Sequence, residues 1–460
     1  MIPKVRVNEL EDVRRLARVT THPFYEQNLP VLKELFDRSL MARRGQYPLL
    51  RLQVDLLRRI LLVEQAQRRY HRRRDLIGKA RRTLVATGAV QERIKRAQSL
   101  WEYMQDGESA ARWFAERLRS IGDGVAWRFL RYDRVALRLL AEHEPISTPQ
   151  LGRGLVTEVS ELVRFNEREE RPALLNSVTN FLRIGDITTY DQGTDVPTLV
   201  EVKTSGNVTA RTRRQGQYRS IVQEALVSGV HQIAGVNLRK VVAQKPLKTY
   251  VGSVERAMRE AEQRFVASRK FGDYLGVGVF ATNKIVAYEP EERWPQIWTS
   301  VFDRLYPVRR RTSDILLPRM DNTFAITHFS PILAPYAIFP IDPRLRFALL
   351  SGEFLVMSVL NISGLSRWLE KRGWKVVVLE LPTEMPEVGE FPYIGALQAY
   401  KGGTGAEIGL DILTVAALEF WMPESIEEFI NAVSSMTPND GAAERLWQVN
   451  FPNVGKYAWD

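Results

Sequence analysis

The stretch Leu182–Asn207, LRIGDITTYDQGTDVPTLVEVKTSGN, decides how the chain is read. Strand character runs over Thr179–Tyr190 and again over Thr198–Thr204, with Asp191–Pro197 as the turn between them. Asp186 stands in Gly185-Asp186-Ile187, and the apolar pair Leu199-Val200 leads into Glu201-Val202-Lys203. A hairpin closes the 15 positions from Asp186 to Glu201. Side chains alternate along a strand, so Glu201 and Lys203 share one face, Val202 takes the other, and Asp186 on the neighbouring strand can face both. Three charged groups on an otherwise apolar sheet face are costly without a purpose. Two neighbouring carboxylates repel unless protonated or bridged by a cation, and a hard ion such as Mg²⁺ (or Mn²⁺) prefers oxygen ligands. Asp186 and Glu201 are therefore the expected metal ligands, with the Val202 carbonyl as a further oxygen. Lys203 is placed to orient or deprotonate an attacking water and to offset charge on a phosphorane-like transition state.

Working outward, an amphipathic helix is expected over Leu151–Phe165. Its apolar face is set by Leu155, Val159, Leu162 and Val163. At about 100° per residue, Glu158 falls at the edge of that face and Glu161 nearly opposite, so Glu158 is the candidate auxiliary acid. After the hairpin, Arg211–Val227 reads as a helix that brings Arg211, Arg214 and Gln215 near the face of Tyr218, Ile221, Val222 and Ala225.

This arrangement resembles the PD-(D/E)XK nuclease superfamily over about residues 151–230. The resemblance implies a restriction-endonuclease-like α/β core. It also implies that Asp186, Glu201 and Lys203 are catalytic, with Glu158 on the preceding helix and Gln215 as an orienting residue. Gly185 stands where the family name has proline. Gln215-x-x-Tyr218 departs from the QxxxY signature of the RecB-type branch. The competing interpretation is a surface hairpin with solvated charges.

Charge distribution adds a second feature. The chain has 460 residues and a formal net charge of +11, but residues 1–150 hold 30 basic and 18 acidic residues, so the remainder is near neutral. Arg68, Arg69, Arg72, Arg73, Arg74, Lys79, Arg81 and Arg82 crowd a short helical span in which Asp75 is the only acid. Phosphate neutralisation is the functional reading, because each basic contact releases condensed counterions and the arginine fork suits phosphate oxygens. A solvated helix paired to acids elsewhere is the bland alternative. There is no cysteine, and the five histidines are scattered, which excludes thiolate metal sites and disfavours a histidine-built one. KGGTGAEIG (Lys401–Gly409) lacks the ending of a Walker A loop and reads as a loop.

The expected architecture is an N-terminal all-α basic domain (1–145), a nuclease-like α/β domain (151–310) and a C-terminal α/β region (311–460). IGDG (Ile121–Gly124) is expected to break the N-terminal helices. Further expectations are a helix over Val254–Ser268, a strand pair over Tyr274–Phe280 and Lys284–Tyr288, and a buried helix over about 346–372. Met1–Val13 lacks the apolar core of a signal peptide, and a cytoplasmic protein without a membrane span is expected. The functional expectation is a Mg²⁺-dependent endonuclease acting on DNA rather than RNA, in restriction, antiphage defence or repair, working as a homodimer or with a partner protein. The alternative is a non-catalytic nucleic-acid-binding or assembly protein that keeps a degenerate nuclease fold.

Overall fold

The computed structural model describes residues 14–42, 47–141, 153–182, 184–190, 196–202, 210–228, 230–233, 236–305, 314–320, 336–379, 395–435 and 445–451. It mixes helix with small sheets and begins with a helical region. Helix α1 (14–20) leads into α2 (Pro23–Met41), α3 (Tyr47–Ala86), α4 (Gln91–Phe129) and α5 (Arg134–Ala141). At about 1.5 Å per residue, α3 and α4 are each near 60 Å long, and they pack side by side as a hairpin. Their inner halves are buried, with Leu52, Leu56 and Ile60 facing a core that also holds Phe114, Leu118 and Ile121. Their outer halves stand in solvent.

No break occurs at IGDG. The glycines answer to packing instead: a Cβ on Gly122 would lie 2.0 Å from the Val178 carbonyl oxygen, and one on Gly124 would lie 2.8 Å from the Ala337 Cβ. Helix α4 thus runs through these positions because small residues let other backbone approach it. Between them, buried Asp123 accepts hydrogen bonds from the Asn180 N–H and Nδ2, both at 2.7 Å. Burial pushes its carboxyl up to about 7.

Helix α6 (Arg153–Val163) ends in a π turn, Arg164–Arg168, and precedes an antiparallel sheet of β1 (Ala173–Leu175), β2 (Ile187–Tyr190) and β3 (Pro197–Val200). The pairing sets Leu175 opposite Ile187 and Ile187 opposite Val200. Strand structure is shorter than expected at 179–186, where Thr179 terminates a 3₁₀ turn (Asn176–Val178) seated on α4. Strands of three and four residues need help, and a glutamine closes each edge. Gln53 of α3, fully buried, donates Nε2 to the Ala173 carbonyl (3.0 Å) and accepts the Leu175 N–H (2.7 Å). On the other side, helix α7 (Ala210–Ser228) supplies Gln223, which donates to the Pro197 carbonyl (3.0 Å) and accepts the Leu199 N–H (3.2 Å). Each side-chain amide occupies the place of a neighbouring strand and removes the open edge.

Strands β4 (Val230–Ile233) and β5 (Val236–Val242) form a hairpin that β13 (Arg445–Asn450) joins in parallel. Helix α8 (Val251–Arg264) is shorter than the expected helix over Val254–Ser268. Phe265 has φ 66°, and β6 (Val266–Phe271) begins directly after it. Strand β7 (Leu275–Ala281) pairs with β6 on one side and β9 (Phe354–Asn361) on the other. Lys284–Tyr288 therefore has no open edge to join and is helical instead, α9 (Thr282–Tyr288), which corrects the expected strand. It is followed by α10 (Trp294–Leu305) and β8 (Leu316–Met320), whose partner is β9. This four-stranded sheet takes β6 and β7 from before residue 310 and β8 and β9 from after it.

The single helix expected over about 346–372 is replaced by α11 (Pro343–Ser351), β9 and α12 (Ile362–Glu370). Gly352, left-handed with φ 78°, ends α11. FLVMSVLN is then buried on both faces as an inner strand, a pattern that apolar periodicity alone does not separate from buried helix. A last sheet holds β10 (Lys375–Val378), β11 (Gly395–Lys401) and β12 (Thr404–Gly409), followed by α13 (Leu410–Leu418) and α14 (Pro423–Ser434). The Lys401–Gly409 segment is the tight end and second strand of the β11–β12 hairpin rather than a loop.

The N-terminal helices share one apolar core with Leu174, Ile187, Leu199 and Val222, and with Ala337 and Phe347. A buried ion pair joins segments far apart in the chain: Arg134 of α5 donates to both Glu419 carboxylate oxygens (2.9 and 2.6 Å), and Trp127 and Trp421 flank its guanidinium. Among the described residues no helix is long and apolar enough to cross a membrane.

The two glutamines give a direct test. Gln53→Ala strands the buried Leu175 N–H, worth about 1–3 kcal/mol unpaired, while the Ala173 carbonyl keeps the Asn166 Nδ2 donor at 3.3 Å. Urea unfolding is expected to show a loss of that order, and a smaller loss for Gln223→Ala, which is only half-buried.

Candidate active site

The site is built where the β2–β3 ladder stops. Gly185 has φ 72°, and a Cβ there would lie 3.2 Å from the Val200 carbonyl oxygen. Both conditions favour glycine. The next residue, Asp186, ties the two strands together. Its N–H donates to the Val200 carbonyl at 2.9 Å, and its Oδ2 accepts the Val202 N–H at 2.7 Å. The carboxylate thus holds the backbone of the Glu201-Val202 segment against the Gly185 turn. Both Glu201 and Val202 are half-buried.

Three acids meet electrostatically at this corner. Burial raises the Asp186 carboxyl above the usual range, the hydrogen bond from Val202 opposes that, and the Glu201 charge adds to it. Glu158 of α6 is raised further, to about 7, by burial and by the Asp186 charge. Glu161 is occupied elsewhere: it accepts from Arg164 Nε at 2.8 Å, beside an Arg164–Glu169 pair. The structure therefore brings Glu158, and not Glu161, to Asp186. The Val202 amide is engaged through its N–H.

Lys203 lies outside the described residues. Arg211, Arg214 and Gln215 belong to α7, but their side chains also lie outside what is described. Among the described residues no three His, Asp or Glu side chains gather closely enough to hold a metal ion by themselves. The donor chemistry nonetheless fits a hard dication. The carboxylates repel one another, and Mg²⁺ commonly takes one or two protein carboxylates, with water and phosphate oxygens completing its shell.

The basic segment lies on the solvent-exposed half of α3. Arg74 is paired with Glu108 at 2.7 Å. Arg81 bonds Gln98 Oε1 and lies over the Trp101 ring. Arg68, Arg69, Arg72, Arg73, Lys79 and Arg82 are exposed and have no acidic partner among the described residues. Two of the eight cations are thus absorbed by the fold, and six face solvent.

Sequence reasoning missed the polar residues that hold the corner. Asn176, Thr188, Gln53 and Gln223 all spend their side chains on backbone or on one another around the small sheet. The one trace in the sequence is a polar residue placed directly after the apolar triplet Ala173–Leu175.

Comparison with known proteins gives no match: no family model, curated protein or solved structure aligns with the chain.

A raised carboxyl pKa favours the folded state fully below the unfolded value and loses that contribution as pH rises through the folded value. Glu158 sets this window between about 4.5 and about 7. The thermal midpoint is expected to fall from pH 5 to pH 8, less steeply in Glu158→Gln. Asp123, raised in the same direction, keeps part of the slope in the variant. Identical slopes in the two proteins would show that burial and the Asp186 charge do not raise the Glu158 carboxyl.

Proposed function

We propose that the chain is a Mg²⁺-dependent nuclease that hydrolyses phosphodiester bonds of DNA. The observation that carries this reading is the Asp186 carboxylate, locked to the Val202 N–H at the end of a hairpin with Glu201 and Glu158 within electrostatic reach. The order of elements agrees with the resemblance: helix α6, then the three strands, then helix α7 with its run of arginines.

In this reading Asp186 and Glu201 hold the ion, and Glu158 is an auxiliary acid. Bound Mg²⁺ supplies Lewis acidity toward a phosphoryl oxygen and lowers the pKa of water. The residues of the chain do the rest. Val202 N–H fixes one Asp186 oxygen, so the carboxylate is oriented before the ion arrives. Lys203 takes up or orients the proton of the attacking water and offsets negative charge on phosphorus as the P–O bond to the leaving oxygen breaks. Phosphodiester hydrolysis requires a barrier reduction on the order of 20 kcal/mol, and preorganised charge is the suitable source. The exposed face of α3 grips the phosphate backbone through Arg68, Arg69, Arg72, Arg73, Lys79 and Arg82.

A second reading is a nucleic-acid-binding protein that keeps the fold without the chemistry. It is favoured by one observation, that no closed set of three ligands exists among the described residues.

Incubation with linear, circular and single-stranded DNA and with RNA, with and without Mg²⁺, separates the two. Cleavage abolished by EDTA and by Asp186→Asn, with DNA binding retained, supports the first. Metal-independent binding without cleavage supports the second. The basic face of α3 has its own test: Arg72→Ala/Arg73→Ala is expected to weaken binding and to flatten the slope of log K against log salt by about 2. An unchanged slope would place the phosphate contacts elsewhere.

A further inference from the structure

We infer that Asn176 is a positioning residue for Asp186, an inference that rests on the nuclease reading and assigns that site a part that neither the hairpin motif nor the carboxylates reveal. Asn176 is buried at 2% exposure, where an unsatisfied amide would be costly. Its carbonyl accepts from Thr179 to close the 3₁₀ turn, and its side chain and its N–H go to the five residues centred on Asp186. Its Nδ2 donates to the carbonyls of Ile184 (2.9 Å) and Gly185 (3.2 Å). Its Oδ1 accepts the Thr188 hydroxyl at 2.8 Å, and its own N–H donates to the Asp186 carbonyl at 2.9 Å.

The position of Asn176 explains why a side chain does this work. The β1–β2 ladder ends at the Leu175–Ile187 pair. Beyond it Gly185 turns left-handed, so regular strand pairing cannot satisfy the carbonyls of residues 184 and 185. Asn176, one residue past the ladder, reaches both. Thr188 fixes which way its amide faces, since the hydroxyl donates to Oδ1 and leaves Nδ2 for the carbonyls. The peptide before Asp186 is thereby held, and with it the direction from which the carboxylate meets the Val202 N–H. Among the described residues Asp186 Oδ1 accepts no hydrogen bond, so this is the oxygen left for an ion. A buried polar network whose members are all satisfied rigidifies what it surrounds, and loss of a partner behind a metal ligand typically costs about 10–100-fold in metal affinity or activity.

The test uses the full chain and two variants, Asn176→Ala and Thr188→Val. The second removes only the group that orients the amide, and it carries the test if the first does not fold. The direct readout is amide hydrogen exchange. The Val202 N–H is expected to lose protection in both variants, while Leu174 and Thr189 in the adjoining ladder keep theirs. Binding of Mn²⁺, followed by electron paramagnetic resonance without DNA, is expected to weaken about 10–100-fold in Asn176→Ala and less in Thr188→Val. On linear duplex DNA with Mg²⁺, kcat is expected to fall in parallel while KM stays unchanged. A folded variant with wild-type Val202 protection would overturn the positioning role, whether or not the protein cleaves. Lost Val202 protection in variants of a wild type that neither binds Mn²⁺ nor cleaves would uphold the clamp and overturn the nuclease reading alone.

Discussion

Everything at the candidate site hangs on a three-stranded sheet too small to stand alone. Its longest strands have four residues, and both edges would otherwise expose unpaired backbone. Gln53 and Gln223 close those edges, each with one donated and one accepted hydrogen bond. The consequence is mechanical as well as energetic. Gln53 belongs to the helix that also carries the basic face, and Gln223 belongs to the helix that follows the hairpin. The sheet cannot shift against either helix without breaking hydrogen bonds, buried ones on the Gln53 side and part-buried ones on the Gln223 side.

A second constraint comes from α4. Gly122 lets the Val178 carbonyl lie against the helix backbone, and Asp123 captures Asn180 two residues later. The segment from Asn176 to Asp186 is therefore held at its start by α4 and at its end by Val200 and Val202. Between those anchors Asn176 binds the turn from the inside. A carboxylate near other carboxylates gains electrostatic leverage only where it cannot swing away, and this frame keeps Asp186 in place while burial and Glu201 work against its charge.

The basic face follows a different logic. On α3 the inner half is spent on the core and the outer half on solvent, with Arg74 and Arg81 braced against α4. The braced pair stiffens the hairpin, while the six cations without acidic partners among the described residues leave a strong positive field along one exposed helix. Long-range charge of this kind acts on a polyanion before contact is made, whereas the Asp186 corner acts only at hydrogen-bond range.

The sequence by itself determined the local features. Helix α7, the hairpin of β2 and β3, the pairing of Asp186 with Glu201, the preference for Glu158 and the charge of α3 all follow from alternation, helical spacing and residue type. These are short-range rules, and the relevant residues are near one another in the chain. Only the tertiary structure decided the rest. The glycines of IGDG resemble a break until the carbonyl that packs on them is known. FLVMSVLN resembles buried helix until β7 and β8 flank it, and Lys284–Tyr288 turns helical because the strand before it already has two neighbours. Gln53 lies 120 residues from the strand it closes, and no local pattern marks such a residue, because its role exists only once a distant backbone edge is left without a partner.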